Sequence, residues 1–140
     1  MSQQNKIRGF TCGIFDLLHA GHILMLKEIK AQCDYLIVGL QENAREGKEQ
    51  PIETFEERMI RLQGCKYVDK ILTYNTEGDL YNLLKELRPD IRFLGADHKG
   101  KPFTGDNLDI KIIFNSRDHN YSSTSLRHRI NDETLHTRLG

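Results

Sequence analysis

Two histidines three residues apart, His19 and His22, close the segment Gly13-Ile14-Phe15-Asp16-Leu17-Leu18-His19-Ala20-Gly21-His22. A short apolar run ends at Gly13, and helical spacing begins just after His19. Such a junction suits phosphate chemistry. Gly13 allows a tight backbone turn where the strand ends. A helix N-terminus offers unpaired N–H groups and a partial positive charge. Gly21 leaves room for close approach, and imidazoles at i and i+3 project to one side. Two ring N–H groups there can donate to a phosphate that gains charge in a transition state. Taken singly, each histidine is also compatible with an ordinary surface or core position. Zinc is a further reading, with His98 or Cys12 as a third ligand, but no paired ligand spacing supports it.

The surrounding elements must place that loop. Residues 7–12 read as a first strand and residues 20–33 as a helix, with Ile23, Leu26 and Ile29 opposite Lys27, Glu28 and Lys30. The continuous apolar run of residues 35–40 suits a parallel strand buried on both faces. Residues 42–53 read as a polar loop. Thr54, followed by Glu56 and Glu57, predicts a helix start, and that helix ends near Gly64. A third strand is expected at 68–72, a helix at 79–87 stopped by Pro89, a fourth strand at 91–94 running into Gly95, and a fifth at 110–114. Between the last two strands lies a polar loop over 98–107, and a final helix is expected over 122–130. Alternating strands and helices predict a Rossmann-like, doubly wound, five-stranded parallel sheet in three α/β/α layers. Ligands then belong beyond the carboxyl ends of the strands. The expected organisation is one domain over 1–131 and a tail over 132–140.

Composition bounds the function. The chain has 140 residues, with 20 Lys+Arg against 20 Asp+Glu. Zero net charge argues against a nucleic-acid binder and adds little attraction to an anionic membrane. Cys12, Cys33 and Cys65 lack paired spacing, so free thiols in a reducing compartment are expected. No apolar run suits a signal peptide or a membrane span. A cytoplasmic protein is expected.

The loop 13–22 resembles the signature of the nucleotidyltransferases that carry a His-x-Gly-His motif. With residues 34–38, 55–58, 66–71, 95–101 and 117–124, the chain is similar to the cytidylyltransferases, above all the glycerol-3-phosphate enzymes. The resemblance spans about residues 7–131. It implies catalytic roles for His19, His22, Arg117 and Lys48. It implies nucleotide contacts from Gly13, Ile14, Phe15, Asp16, Gly21, Gly95, Asp97, Ser122, Ser123 and Thr124. Gly95 and Asp97 would meet the cytosine ring, and the serines, at a helix start, the triphosphate. Asp16 would orient a histidine or approach Mg²⁺ through water; a turn-capping role is the alternative. Arg58 and Lys66 would serve the acceptor phosphate, Arg58 alternatively the structure. Lys48 lies in a loop that carries only one other cation, Arg45, where the glycerol-phosphate enzymes have more lysines. Ile14 stands where those enzymes have threonine; an isoleucine there is similar instead to the choline-phosphate enzymes.

The implied reaction joins CTP to a small phosphorylated alcohol, glycerol 3-phosphate first among them, giving a CDP-alcohol and pyrophosphate. Mg²⁺ would arrive with CTP, with no protein side chain assigned to it. No nucleic acid and no membrane insertion are expected, and the resemblance implies a homodimer. Adenylyl transfer to a pantetheine- or flavin-type phosphate, and a nucleotide-binding module without turnover, are the rival readings.

Overall fold

In the computed structural model, which describes residues 6–115 and 129–130, five parallel strands form one sheet in the order β3-β2-β1-β4-β5. In chain order the elements are β1 (Arg8–Gly13), α1 (Ala20–Lys30), β2 (Tyr35–Gln41), α2 (Phe55–Gln63), β3 (Lys70–Tyr74), α3 (Glu77–Leu87), β4 (Ile91–Gly95) and β5 (Lys111–Asn115). A short 3₁₀ turn, Ala96–His98, follows β4.

Side chains on successive residues of a strand point to opposite faces, and β2 shows what that does here. Leu36, Val38 and Leu40 pack with Leu26 and Ile29 of α1 and Leu62 of α2. Ile37, between them, joins Phe10, Tyr74 and the α3 residues Leu80 and Leu84. Helices therefore cover both faces, which is why β2 reads as an unbroken apolar run. Gly39 interrupts that run for a steric reason. A Cβ there would lie 2.9 Å from the Phe10 ring, so the glycine makes room for the aromatic side chain.

The chain winds outward from β1 through β2 to β3, then crosses back to β4 and β5. The switch in strand order lies between β1 and β4, which pair at Gly9–Ile91 and Phe10–Arg92. Every strand ends its carboxyl terminus on the same edge, so the loops after β1, β2, β3 and β4 share one rim.

Most expected elements are present, with two informative shifts. β3 runs from Lys70 to Tyr74 rather than over 68–72. Asp69 stops it from starting earlier, because its carboxylate accepts the Leu36 N–H at 2.8 Å and the Lys30 ammonium at 2.6 Å. Its far end extends to Thr73 and Tyr74, which pair with Leu40 and Gln41. α3 begins at Glu77, two residues early, because Thr76 caps it by accepting the Asp79 N–H at 3.0 Å. The helix expected over 122–130 falls outside the described residues except for its last two, Arg129 and Ile130, which are helical. No helix among the described residues is long and apolar enough to cross a membrane.

Candidate active site

The helix α1 is capped by the two histidines themselves. His19 holds the cap position in extended backbone, and its Nδ1 accepts the Gly21 N–H at 3.0 Å. His22 reaches back, and its Nδ1 accepts the His19 N–H at 3.2 Å. The pattern is a capping box with imidazoles where Ser or Thr and Glu usually stand. The rings stack with centroids 3.9 Å apart, and Phe15 lies 5.5 Å from His22. An Nδ1 that accepts an N–H carries no hydrogen of its own, so each neutral ring bears its hydrogen on Nε2. The cap thus selects the Nε2–H tautomer of each neutral ring.

Charge at this helix start follows the same logic. α2 and α3 carry acids in their first turns, Glu56 and Glu57 in one and Glu77 and Asp79 in the other, whereas α1 carries none. Its positive end therefore has no acid of its own first turn beside it.

The loop between β1 and α1 is strained and pinned. Phe15 and Leu17 adopt left-handed backbone, with φ of 52° and 50°, at a cost of roughly 1–2 kcal/mol each for a residue with a Cβ. The Phe15 ring is anchored in the core beneath α1. Asp16, 7% exposed, accepts the Ile52 N–H at 2.8 Å and the Glu53 N–H at 2.9 Å. Glu53, also 7% exposed, returns the contact by accepting the Leu17 N–H at 2.7 Å, and its other oxygen pairs with Arg61. The Asp16 carboxylate thereby ties the signature loop to the end of the loop that follows β2. Glu53 was not among the sequence candidates. An acid just before a capping threonine carries no local mark of a partner 36 residues away.

Arg58 requires a correction. It is 1% exposed, and its terminal nitrogens donate to the carbonyls of Ile14 at 3.0 Å, Gln41 at 2.7 Å and Glu42 at 2.5 Å. Burial pushes its guanidinium below the usual value, with the Asp16 and Glu53 carboxylates opposing. Enclosed and engaged, it joins the loops after β1 and β2 and does not reach out for an acceptor phosphate. Lys66 is corrected as well. It is exposed and lies over the Tyr67 ring, ahead of β3. Since β3 runs parallel to β2, Lys66 lies at the amino end of the sheet, away from the rim that carries the histidines.

Gly13 and Ile14 lead from β1 into the loop, and Gly21 is buried in the first turn of α1. Gly95 ends β4, and a Cβ there would meet nothing within 4 Å, so the space above it is open. Asp97 lies exposed in the following 3₁₀ turn. Lys48 is exposed on the loop after β2, on the same rim, where its N–H closes a turn onto the Arg45 carbonyl at 3.0 Å. Arg117, Ser122, Ser123 and Thr124 lie outside the described residues. Among the described residues no group of three or more His, Cys, Asp or Glu side chains is placed to hold a metal ion.

Beside the signature loop, on the face of the sheet covered by α3, opens a cleft of about 600 Å³. Cys12, Gly13, Tyr74, Glu77 and Arg92 are among the residues that line it. Burial pushes the Cys12 thiol above its ordinary value, against a hydrogen bond from Tyr74, so it stays a thiol rather than a nucleophile. Sequence reasoning passed over Arg92, although a cation inside the apolar run Ile91-Arg92-Phe93-Leu94 is a visible signal.

The family model described as cytidylyltransferase-like matches residues 10–129. The bifunctional protein HldE of Wolinella succinogenes is 38% identical over 123 residues, covering 81% of this chain and 26% of the relative. HldE of Campylobacter concisus is 33% identical over 137 residues, covering 94% and 29%. The chain thus spans little more than a quarter of the length of these relatives. Among solved structures, the lipopolysaccharide core biosynthesis protein of Thermoplasma volcanium is 32% identical with a TM-score of 0.70, covering 82% of this chain and all of that one. Pantoate-beta-alanine ligase of Francisella tularensis, 18% identical with a TM-score of 0.60 over 89% of this chain and 69% of its own, shares the fold.

Proposed function

Because the chain belongs to the cytidylyltransferase-like family, we propose that it transfers the nucleotidyl group of CTP to a small phosphorylated alcohol and releases pyrophosphate. The observation that carries this reading is the pair of histidine caps. Both Nδ1 atoms are occupied by backbone N–H groups, so each neutral ring carries its hydrogen on Nε2, at the start of a helix with no acid in its first turn.

In the proposed reaction an acceptor phosphate oxygen attacks the α-phosphorus in line with the leaving group. A new P–O bond forms, the bond from the α-phosphorus to the bridging oxygen breaks, and pyrophosphate leaves with the electron pair. Little covalent chemistry falls to the protein, so catalysis is positioning and charge stabilisation. His19 and His22 donate to the α-phosphoryl oxygens as their charge grows. Arg117 and Lys48 neutralise the triphosphate, and Mg²⁺ enters with the nucleotide as part of the substrate. Ser122, Ser123 and Thr124 complete the triphosphate contacts, and Gly95 and Asp97 flank the base. Assembly as a homodimer in the cytoplasm is part of the same reading.

Adenylyl transfer on this scaffold is the second reading. It is favoured by the relatives at 33–38% identity, which are HldE proteins rather than glycerol-phosphate enzymes. Pyrophosphate release, measured with CTP and with ATP over a panel of phosphorylated alcohols, separates the two. Faster turnover with CTP supports the first reading. Faster turnover with ATP replaces it with the second, and no release with either removes both.

A further inference from the structure

Asn115 ends β5 and is 5% exposed. Both polar atoms of its amide, Nδ2 and Oδ1, are buried and neither has a hydrogen-bond partner. The buried arginines differ. Arg58 and Arg92 lack a partner at Nε but donate to carbonyls through their terminal nitrogens. A buried amide with neither donor nor acceptor engaged is costly and uncommon in a folded chain.

The strand register says where this amide lies. Asn115 pairs with Gly95, and Ile113 with Phe93. Phe93 and Ile113 belong to the core formed with Leu26 and Ile29 of α1. Strand side chains alternate, so Gly95 and Asn115, two residues further on, belong to that same face. It is the face of α1, the helix that the two histidines cap, and both residues stand at the carboxyl rim. A Cβ on Gly95 would meet nothing within 4 Å, so the row beside the amide is open.

The opening continues toward β1. The pairing of β1 with β4 covers Gly9–Ile91 and Phe10–Arg92. Beyond it the Thr11 hydroxyl donates to the Phe93 carbonyl at 3.3 Å, and no ladder pair joins Gly13 to Gly95. The strand order reverses here, where ligands of open parallel sheets bind.

We propose that Asn115 reads the nucleobase: its amide pairs edge to edge with a cytosine or adenine ring lying over Gly95. The proposal rests on the nucleotidyl-transfer reading and adds to it a side chain that senses base identity. The chemistry of the amide selects the partner. A phosphate only accepts, so it would leave Oδ1 unpaired. Cytosine and adenine each offer an amino donor beside a ring-nitrogen acceptor, which a primary amide meets with two parallel hydrogen bonds. Gly95, without a side chain, leaves the ring a flat floor.

The test measures CTP, ATP and inorganic tripolyphosphate by titration calorimetry on the wild-type chain and on Asn115→Leu. Pyrophosphate release over a panel of phosphorylated alcohols runs beside it. Asn115→Leu weakens the preferred nucleotide about tenfold or more, the scale of two lost hydrogen bonds. It narrows the ratio of CTP to ATP affinity and leaves tripolyphosphate binding unchanged. It melts no lower than the wild type, because an apolar side chain replaces an unpaired amide. Should it melt lower, Asn115→Ala, which adds no bulk, carries the same comparison. Equal losses for nucleotide and tripolyphosphate would make the asparagine structural and overturn the proposal. Base-selective binding that is lost in the variant, without pyrophosphate release by the wild type, supports the proposal and overturns the transfer reading. Pyrophosphate release with the same nucleotide KM and the same CTP-to-ATP ratio in both chains keeps the transfer reading and overturns the proposal. A wild-type chain that binds neither nucleotide overturns both.

Discussion

The Nδ1 of His22 accepts the backbone N–H of His19 at 3.2 Å, so one signature histidine caps the helix that the other begins. Since the His19 Nδ1 accepts from Gly21 in turn, each ring has its Nδ1 committed to structure and, when neutral, carries its hydrogen on Nε2. A capping contact is worth about 1 kcal/mol. Here it also fixes ring orientation and tautomer, which makes the donors preorganised rather than recruited at the moment of reaction.

That arrangement depends on the clasp between Asp16 and Glu53. Glu53→Ala leaves the Leu17 N–H without its acceptor, at a cost of about 1–3 kcal/mol, and frees a residue held at positive φ. Melting temperature and kcat should both fall. Glu53→Gln, which keeps an acceptor oxygen, should recover part of each. A wild-type melt and wild-type turnover in Glu53→Ala would show that the clasp is incidental.

Arg58 offers a contrast between structure and substrate binding. Arg58→Ala strips the donor from three carbonyls and should destabilise the chain by something on the order of 3 kcal/mol. Thermal denaturation measures this. An unchanged melt with a raised KM for the acceptor would instead restore the phosphate role suggested by resemblance.

Chelation should stop turnover and leave the melting curve of the nucleotide-free protein in place, since the described residues hold no metal-binding cluster. Calorimetric unfolding with and without a chelator, beside a pyrophosphate assay, checks both halves. Loss of the fold on chelation would reveal a structural metal.

Acid should weaken the starts of α2 and α3. The Thr54 N–H holds the Glu57 carboxyl below its ordinary 4.5, and the Thr76 N–H, then that of Asn75, holds Asp79 below its ordinary 3.8. A folded value below the unfolded one contributes stability above the unfolded value, lost as pH falls through the folded one. Melting temperature should therefore drop more steeply below about pH 4.5 in the wild type than in Glu57→Gln/Asp79→Asn. Parallel acid limbs would assign the loss to other carboxylates.

The sheet was legible because its signals are local. The apolar run of β2 and the threonine before α2 each declare an element from a few neighbouring residues, and the motif from Gly13 to His22 declares the family. What was not legible depends on pairs distant in sequence. Nothing near Arg58 indicates that three carbonyls from two loops converge on it, and nothing near Glu53 indicates Leu17. Lys66 resembled a site residue by motif, but only the direction of β3 reveals that it stands at the wrong end of the sheet. The β3 boundary moved because Asp69 pairs with Leu36 and Lys30, contacts invisible to periodicity.

The most direct measurement is kcat and melting temperature for His22→Gln. Glutamine at this position can reach back to the cap N–H, as it does in ordinary capping boxes, but it lacks the imidazole Nε2–H. The account predicts a wild-type melt with kcat lowered about 10²–10³-fold, roughly 2.7–4 kcal/mol of transition-state stabilisation, and a smaller change in nucleotide KM. Wild-type turnover with a wild-type melt would contradict it, because the histidine would then be a cap and nothing more.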